Sequence, residues 1–253
     1  MGSLTSLLDR ESFQAIKRVL KTHFPRATQF AGGLRRERLT HAEMTSRFQR
    51  IYEGNYWEGD ESVSGLGSSL AQTVVLRSVL PSLLHDLRVS TLLDAPCGDF
   101  FWMKELALDV DYIGVDIVPE VIRQNQLKYA GPRRTFLTRN ITRDDLPRAD
   151  AIHCRDCLDH LSFEDALGAV RNFQRSGATY LLATTYVDRT QNDDIVTSYW
   201  RPTNLQVAPF SFPPPLRLIN EHCTEEGGIW ADKSMGVWTL QDLRLPTSRP
   251  RWL

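Results

Sequence analysis

The amino-acid sequence predicts an α/β fold: a doubly wound, Rossmann-like sheet of seven mostly parallel strands with a terminal antiparallel pair. From residue 90 onwards, short apolar runs alternate with helical stretches, which indicates a parallel sheet covered on both faces. Near the end of the chain, two strand candidates follow each other with no helix between them, so we expect them to pair antiparallel. Before residue 70, apolar residues recur at three- and four-residue spacing, which predicts an N-terminal helical segment.

The N-terminal segment, residues 1–69, contains two amphipathic stretches and a loop. Apolar residues at helical spacing predict a helix over residues 5–24, which Pro25 ends, and a second helix that begins near Thr40. Residues 56–69 are rich in glycine and serine and therefore predict a loop. We expect this segment to form a lid over the functional site or a contact in a homodimer.

Residues 70–245 carry the elements of the α/β domain, and residues 246–253 form a short tail. Strand candidates are short apolar runs, and helix candidates are the longer amphipathic stretches between them. The predicted helices lie at residues 70–86, 100–108, 119–130 and 162–174. The predicted strands lie at residues 91–94, 112–116, 135–138, 151–154, 180–184, 217–221 and 236–240.

Composition and charge limit the classes of partner. The chain has 253 residues, enough for one large domain, with 30 basic and 31 acidic residues and a net charge of −1. This balance does not favour a nucleic-acid partner or a membrane surface. No apolar stretch approaches the roughly 20 residues of a membrane span. Four unevenly spaced cysteines do not make a disulfide framework, so we expect reduced thiols and a cytoplasmic location.

The first predicted strand runs into the segment LLDAPCGDF, which contains Asp94, Gly98 and Asp99. In doubly wound sheets, ligands bind beyond the carboxyl ends of the strands, and a glycine in such a turn lets the backbone approach a ligand closely. Asp116 ends the second strand, 22 residues after Asp94, at about the spacing from which nucleotide binders hold a ribose diol. We therefore expect a nucleoside-containing cofactor at this edge of the sheet.

The glycines and acidic residues of this segment indicate which cofactor binds there. A dinucleotide fingerprint needs three glycines so that a pyrophosphate can sit at a helix N-terminus, whereas here only Gly98 is present. Asp94 and Asp99 would repel a pyrophosphate. S-adenosylmethionine has no phosphate and carries a positive sulfonium and an ammonium group, so the acidic turn favours it.

The ordered motifs LLDAPCGDF, YIGVDI, RNITRDDLP, DAIHCRDCLDHL and YLLATTY resemble those of a class I S-adenosylmethionine-dependent methyltransferase. The resemblance covers about residues 90–186, and the terminal strand pair is consistent with it. The upstream stretch WEGDESVSGLGSS resembles a loop that precedes this domain in a subgroup that includes sugar and natural-product O-methyltransferases.

The resemblance implies which residues contact S-adenosylmethionine. The turn after the first strand would line its methionine part, Asp116 would hold the ribose, and the segment after the third strand would flank the adenine. A loop of serine and glycine would close over the methionine carboxylate. The residues implied are Ser64, Gly65, Asp94, Cys97, Gly98, Asp116, Ile117, Asn140, Ile141 and Arg155.

The segment CRDCLDH, from Cys154 to His160, follows the fourth predicted strand, at the edge where the transferred methyl group would lie. A structural zinc site needs four ligands, commonly as two spaced pairs, and the sequence offers no second pair. A redox Cys-x-x-Cys would open a helix in a thioredoxin-type setting, which does not match this position. His153, inside the strand, is expected to be buried with its polar atoms satisfied.

Asp156, Asp159 and His160 are the better candidates for chemistry in this segment. Their spacing of i, i+3 and i+4 would place them on one face of a helical turn, where two carboxylates and an imidazole could bind a divalent cation such as Mg²⁺. The segment resembles the Glu-x-x-Glu-His motif of ubiquinone-pathway O-methyltransferases, whose matching positions are assigned to magnesium. The alternative role for His160 is the general base that takes the proton of an acceptor hydroxyl.

The sequence therefore predicts an S-adenosylmethionine-dependent O-methyltransferase that acts on a hydroxyl of a sugar or saccharide precursor. Asp156, Asp159 and His160 would be its catalytic residues, with Mg²⁺ as the ion if they bind a metal. An O-methyltransferase of a phenolic or polyketide natural product is the alternative, and a methyltransferase fold that binds a partner without catalysis is a third. Methylation of nucleic-acid bases is not expected, because no Asn/Asp-Pro-Pro-aromatic signature follows the fourth strand.

Overall fold

The computed structural model describes residues 39–246, which contain one seven-stranded sheet. The predicted helix over residues 5–24 and nearly all of the predicted tail lie outside the described residues. The strands are β1 (Thr91–Asp94), β2 (Asp111–Asp116), β3 (Arg134–Thr138), β4 (Ala151–Cys154), β5 (Tyr180–Tyr186), β6 (Arg217–Asn220) and β7 (Lys233–Thr239). Across the sheet their order is β3-β2-β1-β4-β5-β7-β6.

The pairing of the strands explains where the chain needs helices. β1 pairs in parallel with β2 and β4, which continue in parallel to β3 and β5. β7 lies between β5 and β6 and is antiparallel to both. An antiparallel neighbour needs no helical crossover, and no α-helix separates β6 from β7. The prediction of a doubly wound, mostly parallel sheet of seven strands with a terminal antiparallel pair is confirmed.

The described residues form four α-helices: α1 (His41–Glu53), α2 (Val74–Asp86), α3 (Pro119–Tyr129) and α4 (Phe163–Arg175). α1 begins with a capping box, in which the side chain of Thr40 accepts from the Glu43 N–H and the Glu43 carboxylate accepts from the Thr40 N–H. The helix predicted at 100–108 forms only the 3₁₀ turn Met103–Glu105, since Phe100 before it has a left-handed φ of 60° and Leu106 after it is extended. No helix in this part of the chain is long and apolar enough to cross a membrane.

Apolar side chains cover both faces of the sheet, because neighbouring residues of a strand point to opposite sides. Leu93 of β1 belongs to the core cluster that includes the buried face of α4, whereas Leu92 belongs to the cluster that includes α2. Both leucines are completely buried. Strands buried on both faces carry continuous apolar runs, so polar residues are concentrated where the parallel strands end.

The antiparallel part of the sheet contains a tight contact between Gly236 and Trp238 in β7. Trp238 is buried, and its indole N–H donates to the Pro213 carbonyl at 2.8 Å. A β-carbon at Gly236 would lie 2.1 Å from Cη2 of that indole ring. We expect Gly236→Ala to lower the free energy of unfolding by about 1–3 kcal/mol in urea titrations, because the ring must move.

Gly131→Ala is the matched control for this prediction, because a β-carbon at Gly131 would meet no atom within 4 Å. We expect it to change the free energy of unfolding by less than about 1 kcal/mol. Equal effects of the two alanines would contradict the packing role of Gly236.

Candidate active site

A cleft opens at the carboxyl ends of β1, β2 and β4. The order of the strands reverses between β1 and β4, and doubly wound folds bind ligands at such a switch point. The cleft has an empty volume of about 1080 Å³, which includes the open solvent at its mouth. Its lining comes from the ends of these strands, the loop after β3, α1 and the loop that contains Ser64.

Nine of the ten residues predicted to bind S-adenosylmethionine line this cleft. They are Ser64, Asp94, Cys97, Gly98, Asp116, Ile117, Asn140, Ile141 and Arg155. Gly65 is not among the lining residues. It has a φ of 102°, and a β-carbon there would lie 3.0 Å from Cβ of Trp57, so Gly65 turns the chain against Trp57 instead.

The turn after β1 is joined to the end of β2 by the carboxylate of Asp116. This carboxylate accepts hydrogen bonds from the Gly98 N–H at 3.2 Å and from the Val118 N–H at 2.9 Å. Gly98 has a φ of 51°, and a β-carbon there would lie 2.3 Å from Oγ of Ser64, so only glycine fits. Burial raises the pKa of Asp116 to about 6, although the two backbone donors oppose the shift. At neutral pH Asp116 is therefore ionised, and its oxygens retain lone pairs for further donors.

Asp99 lines the cleft, and its carboxylate anchors the serine loop. It accepts from Oγ of Ser62 at 2.8 Å, from the Val63 N–H at 3.1 Å and from Oγ of Ser64 at 3.1 Å. From the sequence, Asp99 is expected to be one of the acids that attract a sulfonium. Its oxygens are instead used by a loop 35 to 37 residues earlier in the chain.

The loop after β3 is shaped by Asn140, which is buried. Its side-chain oxygen accepts from the backbone N–H and the hydroxyl of Thr142, at 2.9 and 2.8 Å. Its side-chain nitrogen lies 3.6 Å from Sδ of Met44 in α1. Asn140 therefore holds the loop in shape and joins it to α1, while Ile141 adds an apolar wall to the cleft.

Asp94 is held between two buried side chains of neighbouring strands. The Tyr112 hydroxyl donates to one of its oxygens at 2.5 Å, and Nδ1 of His153 lies 2.6 Å from the other. Nε2 of His153 is buried and has no hydrogen-bond partner among the described residues. The expectation that His153 is buried is confirmed, but the expectation that its polar atoms are satisfied is wrong, because only one ring nitrogen meets a partner.

Four charged side chains form a network at the cleft, which Arg155 and Asp156 themselves line. The Arg155 guanidinium donates to Glu221 at 2.7 Å and pairs with Asp156 at 3.0 Å. The Lys233 ammonium, which is 2% exposed, lies 2.7 Å from the same oxygen of Asp156. Burial would raise the pKa of Asp156, but the positive charges of Arg155 and Lys233 hold it well below its usual range. Asp156 is therefore neutralised by cations of the protein itself.

The predicted magnesium site is not supported, because the chain does not form the helical turn on which it depends. Asp156 has a left-handed φ of 47°, and the 3₁₀ turn begins only at Leu158. Asp159 is buried, accepts from the indole N–H of Trp200 at 2.9 Å, and does not line the cleft. Within residues 39–246, no group of three His, Cys, Asp or Glu side chains is arranged to hold a metal ion. The donor set of these described residues does not fit Mg²⁺, and the catalytic role of Asp159 stays a prediction.

His160 lines the cleft and is oriented by a backbone carbonyl. Its Nδ1 lies 3.1 Å from the carbonyl oxygen of Tyr199. Since a carbonyl only accepts, Nδ1 carries the proton of the neutral ring and Nε2 is left as the acceptor nitrogen. The imidazole packs against the Trp57 indole, with 5.2 Å between the ring centroids. Of the three residues predicted from CRDCLDH, His160 alone has the geometry of a general base.

Several residues of the cleft were not recognised from the sequence. Met44, Phe48 and Tyr52 line it from one face of α1, where the sequence predicted only an amphipathic helix with Met44, Phe48 and Ile51 on one face. Trp102 also lines the cleft, with the Arg155 guanidinium 5.6 Å from its ring centroid. No local pattern marks such residues, because their contacts join distant parts of the chain.

No protein-family model and no curated protein sequence matches the chain. Among solved structures, it is similar to the 1,6-didemethyltoxoflavin-N1-methyltransferase of Burkholderia thailandensis, with a TM-score of 0.53, 13% identity and coverage of 79% of this chain and 90% of that one. Human N-acetylserotonin methyltransferase, solved with S-adenosylmethionine, gives a TM-score of 0.50, 12% identity and 79% coverage of this chain. The chain spans only 56% of that human enzyme.

The methyltransferase domain of the bacterial protein CtHen1-C is a third similar structure, with a TM-score of 0.50, 15% identity and coverage of 68% of this chain and 98% of that domain. These proteins share a fold with the chain, and the names of the first two give different substrates. The chain therefore has the fold of class I S-adenosylmethionine-dependent methyltransferases.

The contacts of Asp99 predict that it holds the serine loop over the cleft. We expect Asp99→Ala to increase the amide hydrogen exchange of residues 62–65 by roughly tenfold or more, because bonds to a charged carboxylate are lost. Mass-spectrometric exchange on peptides that cover this loop would measure the effect. Asp109→Ala removes a carboxylate that is 98% exposed and should leave the exchange of the loop unchanged; equal exchange in both variants would refute the anchoring role.

Proposed function

We propose that the chain is an S-adenosylmethionine-dependent O-methyltransferase that acts on a hydroxyl of a small molecule, with a sugar or saccharide precursor as the preferred acceptor class. The observation that supports this best is that His160, oriented as a base, lines the same cleft as the buried carboxylate of Asp116. A base in the cleft that would hold the cofactor supplies the proton acceptor that methylation of an unactivated hydroxyl needs. The structural likeness to methyltransferases agrees with the proposal.

The residues of the cleft fit S-adenosylmethionine. Asp116 offers an ionised carboxylate to a ribose diol, and Gly98 allows the closest approach of the backbone. Asn140 and Ile141 shape the wall proposed for the adenine. When bound, the cofactor supplies an electrophilic methyl group on a positive sulfonium.

His160 would activate the acceptor. An alcohol or sugar hydroxyl is a weak nucleophile unless its proton is removed as the new bond forms. Nε2 of His160 can take this proton, because Nδ1–H is held by the Tyr199 carbonyl and keeps the ring in the required tautomer. Asp156 would not share this task, since Arg155 and Lys233 neutralise its carboxylate.

The aromatic lining supports the choice of acceptor classes. Trp57 and Trp102 line the cleft near His160 and Arg155 respectively, and aromatic faces can stack on the apolar face of a sugar ring. Phe48 extends this apolar wall, which favours a phenolic acceptor as the second candidate.

Binding and transfer experiments test the proposed function directly. We expect isothermal titration to show one S-adenosylmethionine per chain, and incubation with methyl-labelled cofactor to transfer label to a saccharide hydroxyl within a panel of saccharides and phenols. Label on a phenol would identify the second candidate. Absence of cofactor binding would refute the enzyme proposal.

The role of His160 predicts that its substitution lowers turnover without weakening the binding of S-adenosylmethionine. We expect His160→Gln to lower kcat by roughly 10²–10⁴-fold, because the general base is lost, while the Kd for S-adenosylmethionine changes by less than about twofold. The control is His85→Ala, a histidine whose side chain is 91% exposed, which should leave both quantities unchanged. Near-normal turnover of His160→Gln would exclude His160 as the base.

The raised pKa of Asp116 predicts a pH-dependent contribution to cofactor binding. The folded pKa of about 6 means that Asp116 is ionised above this pH and protonated below it. Protonation removes the charge and one acceptor site for the ribose diol. Titration calorimetry from pH 5 to 8 would compare the affinities of the wild type and of Asp116→Asn for S-adenosylhomocysteine. We expect the wild type to bind more tightly at high pH, and this advantage to shrink as the pH falls through about 6. A constant ratio across this range would contradict ribose binding by ionised Asp116.

A further inference from the structure

The pair formed by His153 and Asp94 is the feature of the cleft that the proposed reaction leaves unused. Both side chains line the cleft, and both are nearly completely buried, at 2% and 3% exposure. The ribose contact assigned to Asp116 and the proton transfer assigned to His160 do not involve them. Two ionisable groups held together at a ligand-binding edge point to a binding role.

The partners of Asp94 determine how the His153 ring is oriented. One carboxylate oxygen accepts from the hydroxyl of Tyr112 at 2.5 Å, and the other lies 2.6 Å from Nδ1 of His153. The carboxylate therefore draws the proton of the neutral imidazole to Nδ1, which leaves Nε2 as an acceptor. This Nε2 is buried and has no partner within residues 39–246, and a buried polar atom without a partner is costly in a folded protein.

The order of the strands indicates which part of the cofactor this nitrogen meets. β1 lies between β2, which ends in Asp116, and β4, which carries His153. Two strand spacings separate β2 from β4, about 10 Å. With the ribose at Asp116 and the adenine towards Asn140 after β3, the amino-acid end of the cofactor extends in the opposite direction, across β1 to β4.

We propose that Nε2 of His153 accepts a hydrogen bond from the α-ammonium group of S-adenosylmethionine, and that Asp94 is the positioning residue that holds the ring for this contact. The inference rests on the proposed cofactor and adds the residue that recognises its amino-acid end. An ammonium group only donates, so it matches an acceptor nitrogen, whereas a carboxylate only accepts and does not. The negative charge of Asp94 behind the ring strengthens the attraction for a cation.

Three ligands distinguish the contact of His153 with the ammonium group from the other contacts of the cofactor. S-adenosylhomocysteine carries the complete amino-acid end, its deamino analogue lacks only the ammonium group, and 5′-methylthioadenosine lacks the amino-acid end altogether. Titration calorimetry would measure the affinity of each for the full chain, for His153→Gln and for His153→Phe. Because 5′-methylthioadenosine reports on the adenosine half alone, its binding also shows that a variant is folded.

We expect both His153 variants to bind S-adenosylhomocysteine roughly 10- to 100-fold more weakly than the wild type, as for the loss of a hydrogen bond to a charged group. Their affinity for 5′-methylthioadenosine and for the deamino analogue should change by less than about twofold. The matched control is Asp116→Asn, which should weaken S-adenosylhomocysteine and 5′-methylthioadenosine by the same factor, because the ribose is common to both.

Three results would overturn the assignment of His153. The first is that both variants bind S-adenosylhomocysteine with unchanged affinity. The second is that they lose as much affinity for 5′-methylthioadenosine as for S-adenosylhomocysteine. The third is that they lose as much affinity for the deamino analogue, which would mean that the ring meets the carboxylate. A wild-type chain that binds none of the three ligands would overturn the proposed function and this inference with it. If the wild type binds S-adenosylhomocysteine and the variants keep its preference for this ligand over the two that lack the ammonium group, this inference alone would be overturned.

Discussion

The parallel pairing of β1 with β2 on one side and β4 on the other is the constraint on which the candidate site depends. Carboxyl ends of parallel strands meet at one edge of a sheet, so the pairing brings together residues that lie far apart in the sequence. Asp94, Asp116 and His153 share this edge because their strands are neighbours in this order. Burial of both faces of the sheet leaves this edge as the place where polar groups collect.

Buried charge is the second determinant of the site, and it is largely compensated within the protein. Removing a charge from water is costly unless it is paired and hydrogen-bonded. Arg155, Lys233, Glu221 and Asp156 satisfy this condition through one another, and so they join the end of β4 to the strands β6 and β7. The same pairing removes Asp156 from the set of groups free to hold a metal ion. A carboxylate near a reaction centre is therefore no evidence of metal chemistry until its partners are known.

The sequence was sufficient to predict the sheet and to select nine residues that line one cleft, because both have local signals. Apolar runs follow from two-sided burial, and Asp116 follows a strand at a recognisable spacing.

The failures concern contacts between distant segments. Asp99 meets a loop up to 37 residues away, and Asp156 meets Lys233 at a separation of 77 residues. The expected helical face in CRDCLDH failed because helical spacing implies a shared face only if the backbone is helical, and a left-handed residue precedes the turn. His153 was misjudged, because its burial was taken to imply that both of its ring nitrogens have hydrogen-bond partners.

The hydrogen bond that orients His160 has a consequence for how such a site can diverge between related chains. Its acceptor is the main-chain carbonyl of Tyr199, whose own side chain is 58% exposed. A main-chain oxygen is present whatever amino acid occupies the position, so the orientation of the His160 ring is encoded by the path of the loop rather than by the identity of a residue. The side chain at position 199 can therefore be exchanged while the contact that orients the imidazole is kept.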